Sequence, residues 1–229
     1  TELDLEGIDL ENKDNAILSL DSFHLIIRGV EKFVLSETNN VIVWPTKYEV
    51  KMGENRNFET AAVVDVGKFN FYTDSVAFNY DDFNLHLDKI DSTKFNTLSF
   101  PREGSDLRSR YRVKNKLEDM KGVVEITDPN NKSGNKNKDF PGYPKFTSLK
   151  ESFVYFSGGQ EDSDEGYDKE EFNFTIAPFE MDSLNDWLPE DLFFAGSFIS
   201  GGILPEINEK LTIQEDYSLG FKTQAPEDG

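Results

Sequence analysis

The feature that most constrains the fold is a two-residue alternation of apolar and polar side chains between residues 67 and 90. Phe69 and Phe71 open the run, and the same period continues to its end. Because successive side chains of a β-strand point to opposite faces, this period is typical of strands with one packed and one wet face. Polar pairs at Thr73-Asp74 and Asp81-Asp82 interrupt it, so the stretch predicts three short strands in succession.

Shorter runs of similar texture recur along the chain and stop at Pro, Gly or Asp. They lie at residues 23–28, 41–44, 123–126, 153–156, 172–176, 192–199 and 211–213. A helix is indicated only weakly at 182–188, because Pro189 follows at once and limits it to a turn or two. We therefore predict an all-β fold of antiparallel sheets with about twelve short strands and little helix, arranged as a sandwich or an elongated open structure.

The domain organisation follows from one polar stretch. The 229 residues suit one large all-β domain or two small ones. Residues 128–145, with Asn, Lys, Gly and three Pro, predict a long surface loop between β-rich halves at 1–127 and 146–229. One continuous domain is the alternative. The stretches 3–30 and 67–90 both combine strands with Asp-rich turns, which indicates a repeated architecture without a repeated sequence.

Composition excludes several classes of function. The formal net charge is −20, from 44 acidic and 24 basic side chains, so the surface repels nucleic acid and anionic lipid headgroups. The absence of Cys excludes disulfides and thiolate chemistry, and two His cannot form a multi-His metal site within one chain. The sequence contains no run of about 18 apolar residues, so no transmembrane helix is predicted. The chain starts at Thr1 without a signal-peptide pattern, and we expect a processed chain or a segment of a larger protein.

One acidic turn is a candidate metal site. Asp162, Asp164 and Asp168 lie within a short Gly-containing stretch, and Ca²⁺ needs about six to eight oxygen ligands. The spacing departs from the EF-hand loop, because Gly166 comes one position early and the closing Glu is absent. A Ca²⁺ site and a solvated acidic loop are the two interpretations, and no other cofactor is predicted.

A basic stripe runs through residues 109–116. A strand here would place four basic side chains on one face, namely Arg110, Arg112, Lys114 and Lys116. Like charges in a row repel, so one interpretation gives them acidic neighbours across the sheet. The other interpretation is a docking face for an acidic partner or ligand.

Four aromatic residues lie beside Pro, Asp or Gly, where loops are expected: Trp44, Trp187, Tyr143 and Tyr167. Exposed aromatic rings of this kind can bind sugars by stacking on the apolar face of the sugar ring. Trp and Tyr also anchor cores and the bases of loops, which is the competing interpretation.

No catalytic motif occurs in the sequence. The chain lacks a Gly-x-Ser-x-Gly elbow, a Walker loop and a His-Glu-x-x-His helix. A glycosidase pair of carboxylates could form among the 44 acidic residues, but nothing singles out two of them. We therefore predict that the chain is not an enzyme.

The texture of residues 67–95, short aromatic strands broken by Asp-Ser and Asp-Asp turns, resembles the AsmA and TamB group of bacterial envelope proteins. The segments 123–139, 140–146 and 216–221 also resemble parts of large Bacteroidetes-type envelope proteins. The resemblance implies an elongated β structure that bridges the envelope and has a groove-like interior implicated in lipid transport. It transfers no functional residue, and the two long polar stretches at 128–145 and 157–171 depart from a continuous apolar groove.

Together these observations predict a non-enzymatic structural or binding segment of a bacterial cell-envelope or surface protein, periplasmic or extracellular. Its expected partners are other segments of a larger envelope protein or complex, with lipid and glycan as further candidates. A lipid- or protein-handling conduit is one form of this role. A carbohydrate-binding β-sandwich with loop aromatics and Ca²⁺ is the alternative, and a glycan-active enzyme is the second alternative.

Overall fold

The computed structural model describes residues 6–7, 15–101, 108–156, 169 and 171–223. Their regular structure consists of strands and two short 3-10 turns, and every strand pair is antiparallel. The all-β antiparallel prediction is confirmed. None of the helical segments in these ranges has the length and apolarity needed to cross a membrane.

The eighteen strands, in chain order, are β1 (Glu6–Gly7), β2 (Ala16–Ser19), β3 (His24–Arg28), β4 (Val30–Ser36), β5 (Val41–Pro45), β6 (Glu49–Met52), β7 (Phe58–Val66), β8 (Phe69–Asn79), β9 (Asn84–Leu98), β10 (Arg110–Arg112), β11 (Leu117–Glu125), β12 (Lys145–Ser148), β13 (Ser152–Tyr155), β14 (Phe172–Ile176), β15 (Glu180–Met181), β16 (Phe193–Ser200), β17 (Ile207–Ile213) and β18 (Leu219–Gly220). The 3-10 turns are Glu54–Arg56 and Pro129–Asn131.

Four long strands form the centre of the sheet in the order β7, β8, β9 and β11. The sheet branches on both sides of this centre. At one side β7 pairs with β5, which leads to β4 and β1, and with β6, which leads to β3 and β2. At the other side β11 pairs with β12, which leads to β15, and with β13, which leads through β14 and β16 to β17 and β18. The hairpin β2–β3 therefore ends one branch.

The stretch 67–90 forms two strands and not the three that the alternation predicts. Thr73-Asp74 lies inside β8, where the register against β9 shifts between Thr73 and Ser75. The Thr73 hydroxyl donates to the backbone carbonyls of Ser75 at 3.1 Å and of Lys89 at 2.5 Å. The polar pair therefore makes a bulge that adds a residue without ending the strand. The break expected there is wrong, while Asp81-Asp82 does lie in a turn.

Aromatic side chains connect the branches in one core. Phe71 of β8 packs against Phe146 of β12, with ring centroids 4.8 Å apart. Phe95 of β9 meets Phe194 of β16 at 6.3 Å. These strands are not neighbours in the sheet, so the sheet curls until its C-terminal branch covers the inner face of its centre. All four rings are almost fully buried.

The polar stretch 128–145 has a fixed conformation around one buried amide. The Asn131 side chain donates to Thr127 Oγ1 at 3.1 Å and to Asn137 Oδ1 at 2.5 Å, and it accepts from the Lys136 backbone N–H. The division into halves at this stretch stays a prediction. Buried side chains from before and after it belong to the same hydrophobic cluster.

Gly122 provides a test of the packing between the centre and the C-terminal branch. A Cβ at this position would lie 2.5 Å from the Phe146 ring and 2.6 Å from the Thr147 carbonyl oxygen. We expect Gly122→Ala to lower the free energy of unfolding by roughly 1–3 kcal/mol, because the ring must move out of a packed site. Urea denaturation measures the change.

The control is Gly53→Ala, because the nearest atom to a Cβ at Gly53 is 3.9 Å away. This variant should stay within about 0.5 kcal/mol of the parent chain. Equal unfolding midpoints for the two variants would contradict the close approach of β11 to Phe146.

Candidate binding surface

The hairpin β2–β3 is the strongest candidate for a binding surface, because apolar side chains of β2 and of the turn face solvent. Leu18, Leu20 and Phe23 expose 63, 73 and 69 % of their surface, while Ile17, which is also exposed, lies on the opposite face of β2. A single exposed apolar side chain is common on a folded protein, whereas several in one hairpin form a patch. Such patches mark places where another molecule binds.

The turn of this hairpin is the same as the turn between β8 and β9. Each has four residues, 20–23 and 80–83, with Asp in second and Phe in fourth position. Phe23 and Phe83 both adopt the left-handed backbone region, with φ of 49° and 54°. In each hairpin, the side chain of the residue just before the turn accepts a hydrogen bond from the backbone N–H of the third turn residue. The Ser22 N–H donates to Ser19 Oγ at 3.4 Å, and the Asp82 N–H donates to Asn79 Oδ1 at 3.2 Å.

The strands beside the two hairpins also correspond. β6 pairs with β3 on the side away from β2, as β11 pairs with β9 on the side away from β8. Leu18 lies opposite Leu25 in one hairpin, and Phe78 lies opposite Leu85 in the other. Leu18 therefore takes the place of Phe78, and Leu20 takes the place of Tyr80.

The two hairpins differ in what covers them. Phe78 and Phe83 are each only 6 % exposed, and their rings contact each other at a centroid distance of 5.7 Å. The cover of Phe78 comes from β7, whose Phe58 ring stacks on it at 4.9 Å, and Phe83 also meets the Tyr80 ring at 6.4 Å. No strand takes the place of β7 beside β2 among the described residues. The exposed patch is therefore the surface that a further strand would cover.

A cleft of about 500 Å³ lies beside the tip of the hairpin. Its wall includes Phe23 and both histidines of the chain, His24 and His86. The Nδ1 atom of His24 is 2.6 Å from the Ser22 hydroxyl. Further polar lining comes from Lys51, Glu54, Asn57 and Glu59. An aromatic ring beside hydrogen-bonding groups of both kinds suits a small polar ligand.

The basic stripe is a strand only in its first part. β10 ends at Arg112, and the next residue, Val113, is buried. Lys114 and Lys116 therefore follow the strand and do not extend it, so the predicted strand through 109–116 is too long.

Three of the four basic side chains of the stripe have side-chain partners, two of which are distant in sequence. The contacts are Arg112 Nη1 to Asn70 Oδ1 at 2.7 Å, Lys114 Nζ to Asp216 Oδ2 at 2.8 Å and Lys116 Nζ to Glu118 Oε1 at 3.2 Å. Hydrogen bonds from Lys114 and Ser218 hold the pKa of Asp216 well below its usual range. The contacts of Lys114 and Lys116 favour the interpretation with acidic neighbours. A docking face at Arg110, Arg112, Lys114 and Lys116 stays a prediction.

Trp44 and Tyr143 are half-buried and have polar contacts of their own. The Trp44 Nε1–H donates to Asp65 Oδ2 at 2.9 Å. The Lys145 ammonium lies 4.8 Å from the centroid of the Tyr143 ring. Burial raises the pKa of the Tyr143 hydroxyl, and the nearby Glu125 carboxylate adds to the rise.

Trp187 is a core residue. It is 9 % exposed, and its ring lies 5.7 Å from Phe69 and 5.9 Å from Phe95. The Lys68 ammonium donates to the Trp187 carbonyl oxygen at 2.7 Å and lies 5.3 Å from the ring centroid. Desolvation by burial lowers the pKa of Lys68. This environment favours the anchor interpretation, since a buried ring has no free face for a sugar.

The acidic turn with Asp162, Asp164 and Asp168 lies outside the described residues, as does Tyr167, so a Ca²⁺ site there and a sugar-binding role for Tyr167 stay predictions. In the part of the chain that the structure describes, no group of three or more His, Asp or Glu side chains is placed to hold a metal ion.

The exposed hairpin was not among the sites that the sequence predicts. Its local signal is the run Ala-Ile-Leu-Ser-Leu at 16–20, which has no clear alternation and no charge. The repeated Asp-x-Phe of the turns at 21–23 and 81–83 is a second signal. Neither signal tells whether a strand covers the hairpin, because that depends on distant residues.

No family model matches the chain. Comparisons with characterised proteins and with solved structures also found no significant match. We therefore infer a function from the geometry of the chain itself.

Replacement of Trp187 separates an anchor from a ligand-binding ring. We expect Trp187→Ala to lower the free energy of unfolding by about 3–5 kcal/mol, because it leaves a cavity between Phe69 and Phe95. Phe193→Ala is the control, since Phe193 is half exposed, and it should cost less than about 1 kcal/mol. Thermal and urea unfolding measure both, and similar losses would contradict the anchor role.

Proposed function

We propose that the chain is a non-catalytic binding segment of a β-rich cell-envelope or surface protein, and that it joins another β-rich polypeptide through hairpin β2–β3. The observation that carries this proposal is the difference between two hairpins of the same construction. Phe78 of β8 is covered by β7, whereas Leu18 of β2 and the turn residues Leu20 and Phe23 face water. An apolar sheet edge left uncovered pairs readily with another chain.

Another edge of the sheet, at β17, differs from β2 in the charge of its side chains. Residues 207–211 of β17 have no second strand partner in the described ranges, and they include the charged Glu209 and Lys210. Charged side chains on an edge strand discourage pairing with other molecules. Residues 16–20 carry no charge, so β2 lacks that protection.

The envelope location rests on the resemblance of residues 67–95 to long β proteins of bacterial envelopes. Other segments of a larger envelope protein or complex suit this surface, because they are rich in strands. A lipid- or protein-handling conduit stays a prediction, since it needs an open apolar groove and the buried apolar side chains described here pack in one core cluster.

The non-catalytic part of the proposal rests on the sequence, which carries no recognisable catalytic motif. The net charge of −20 argues against nucleic acid as the partner.

Site-specific photo-crosslinking tests the docking surface. A photoreactive phenylalanine analogue in place of Leu20 should form a covalent adduct with one discrete polypeptide in cells that produce the protein. Leu18→Lys in the same chain should remove most of the adduct, because it places a charge in the apolar contact.

The control position is Leu149, which is 52 % exposed and lies in the connection between β12 and β13. The analogue at Leu149 should give no such adduct. The same adducts at both positions, or no adduct at Leu20, would contradict the proposed docking surface.

Sugar binding is a second candidate function, and the cleft beside Phe23 favours it. The exposed ring can stack on a sugar, while Asn57, Glu59 and His86 offer donors and acceptors to hydroxyl groups.

We expect a soluble oligosaccharide from a panel of glucans, xylans and chitin fragments to bind weakly in isothermal titration. Phe23→Ala should weaken that binding roughly tenfold, as expected for the loss of one stacked ring. Tyr48→Ala is the control, because Tyr48 is exposed but does not line the cleft. Binding that survives Phe23→Ala unchanged would exclude this cleft as the sugar site.

A further inference from the structure

We infer that the partner of hairpin β2–β3 enters as an extended strand that pairs antiparallel with β2, in the register that β7 takes on β8. This inference rests on the proposed docking function and specifies the partner's chemistry. In β-strand addition of this kind, main-chain hydrogen bonds supply affinity and alternate side chains supply specificity.

The covered hairpin defines the register. Phe58 lies opposite Phe78, and the two rings stack. Leu18 stands where Phe78 stands, so the partner residue opposite Leu18 takes the place of Phe58. A large apolar side chain at that partner position would cover Leu18, as Phe58 covers Phe78.

The next pair on the same face allows a larger partner side chain. Thr60 lies opposite Val76 in the covered hairpin. Ala16 stands in the place of Val76 and is smaller, so it leaves room for a branched apolar side chain where β7 has Thr60.

The pair at the other end requires a change of chemistry. In the covered hairpin the Arg56 guanidinium lies 4.8 Å from the Tyr80 ring centroid and donates to the Tyr80 hydroxyl at 2.7 Å. Leu20 stands in the place of Tyr80 and offers neither a ring nor a hydroxyl. The partner residue beside Leu20 is therefore apolar and not basic.

Charge decides the intervening positions of the partner strand. Every second side chain of an added strand points away from the apolar face toward water. The chain has a net charge of −20, and Asp21 lies in the turn of the hairpin. Basic side chains at these positions would be attracted to the acidic chain and would speed association. The partner strand thus alternates apolar and basic residues.

A synthetic peptide of this pattern is the probe, with the sequence acetyl-Lys-Val-Lys-Phe-Lys-Val-Lys-amide. It should bind the purified chain in isothermal titration and slow amide hydrogen exchange of residues 16–20. At a free peptide concentration of about ten times the Kd, exchange through the unbound state should be roughly tenfold slower. Leu18→Lys in the protein should weaken binding roughly tenfold.

Three controls separate strand addition from other contacts. A peptide with Pro in place of the central Phe loses a backbone donor and should not bind. A peptide with Glu in place of every Lys should bind at least tenfold more weakly. The Leu149→Lys variant should bind the original peptide normally, and exchange at residues 76–87 shows in the same experiment that each variant is folded.

Failure of this inference and failure of the docking function give different results. Peptide binding that leaves exchange at residues 16–20 unchanged, or that tolerates the central Pro, overturns strand addition, while an adduct at Leu20 would still support docking. Absence of peptide binding also overturns it. A dimer in sedimentation that Leu18→Lys converts to a monomer would identify a second copy as the occupant and overturn the basic partner strand.

Discussion

The structure depends on aromatic packing against the inner face of β8 and β9. Phe71 meets Phe146, and Phe69 and Phe95 meet Trp187. These rings bring a large apolar area out of water and join parts of the sheet that are not hydrogen-bonded to each other. These ring contacts hold the branch that begins at β12 over the inner face of the centre, where they close that face of the sheet.

The fold class could be predicted because its signal is local. Alternation such as that of residues 84–87 in β9 follows from strand geometry alone and needs no knowledge of neighbours. The number and length of strands could not be predicted in the same way. Thr73-Asp74 has the composition of a turn, yet the carbonyl oxygens of Ser75 and Lys89 satisfy the Thr73 hydroxyl inside the sheet. Whether a polar pair ends a strand depends on the strand beside it.

The candidate site shows the same limit. The turn geometry of hairpin β2–β3 is encoded within residues 19–24, and its sequence resembles that of the turn at 80–83. Its exposure is not encoded there, because it depends on whether another strand lies alongside. The basic stripe is a site that distant residues do cover, since Lys114 pairs with Asp216 at a separation of 102 residues. A pattern within eight residues cannot indicate such a partner.

The contact around Tyr217 has a consequence for how the chain folds. Tyr217 stacks on Tyr111 at a centroid distance of 4.2 Å, and its carbonyl oxygen accepts the Lys114 N–H. The Leu219 N–H in turn donates to the Asn115 side chain. The segment after β10 is thus held by contacts with residues that lie about a hundred positions later in the chain. Pairings this distant in sequence have a high loop-closure cost and slow the folding of β proteins. We therefore expect the contacts between the C-terminal turn and the segment after β10 to slow the folding of the chain.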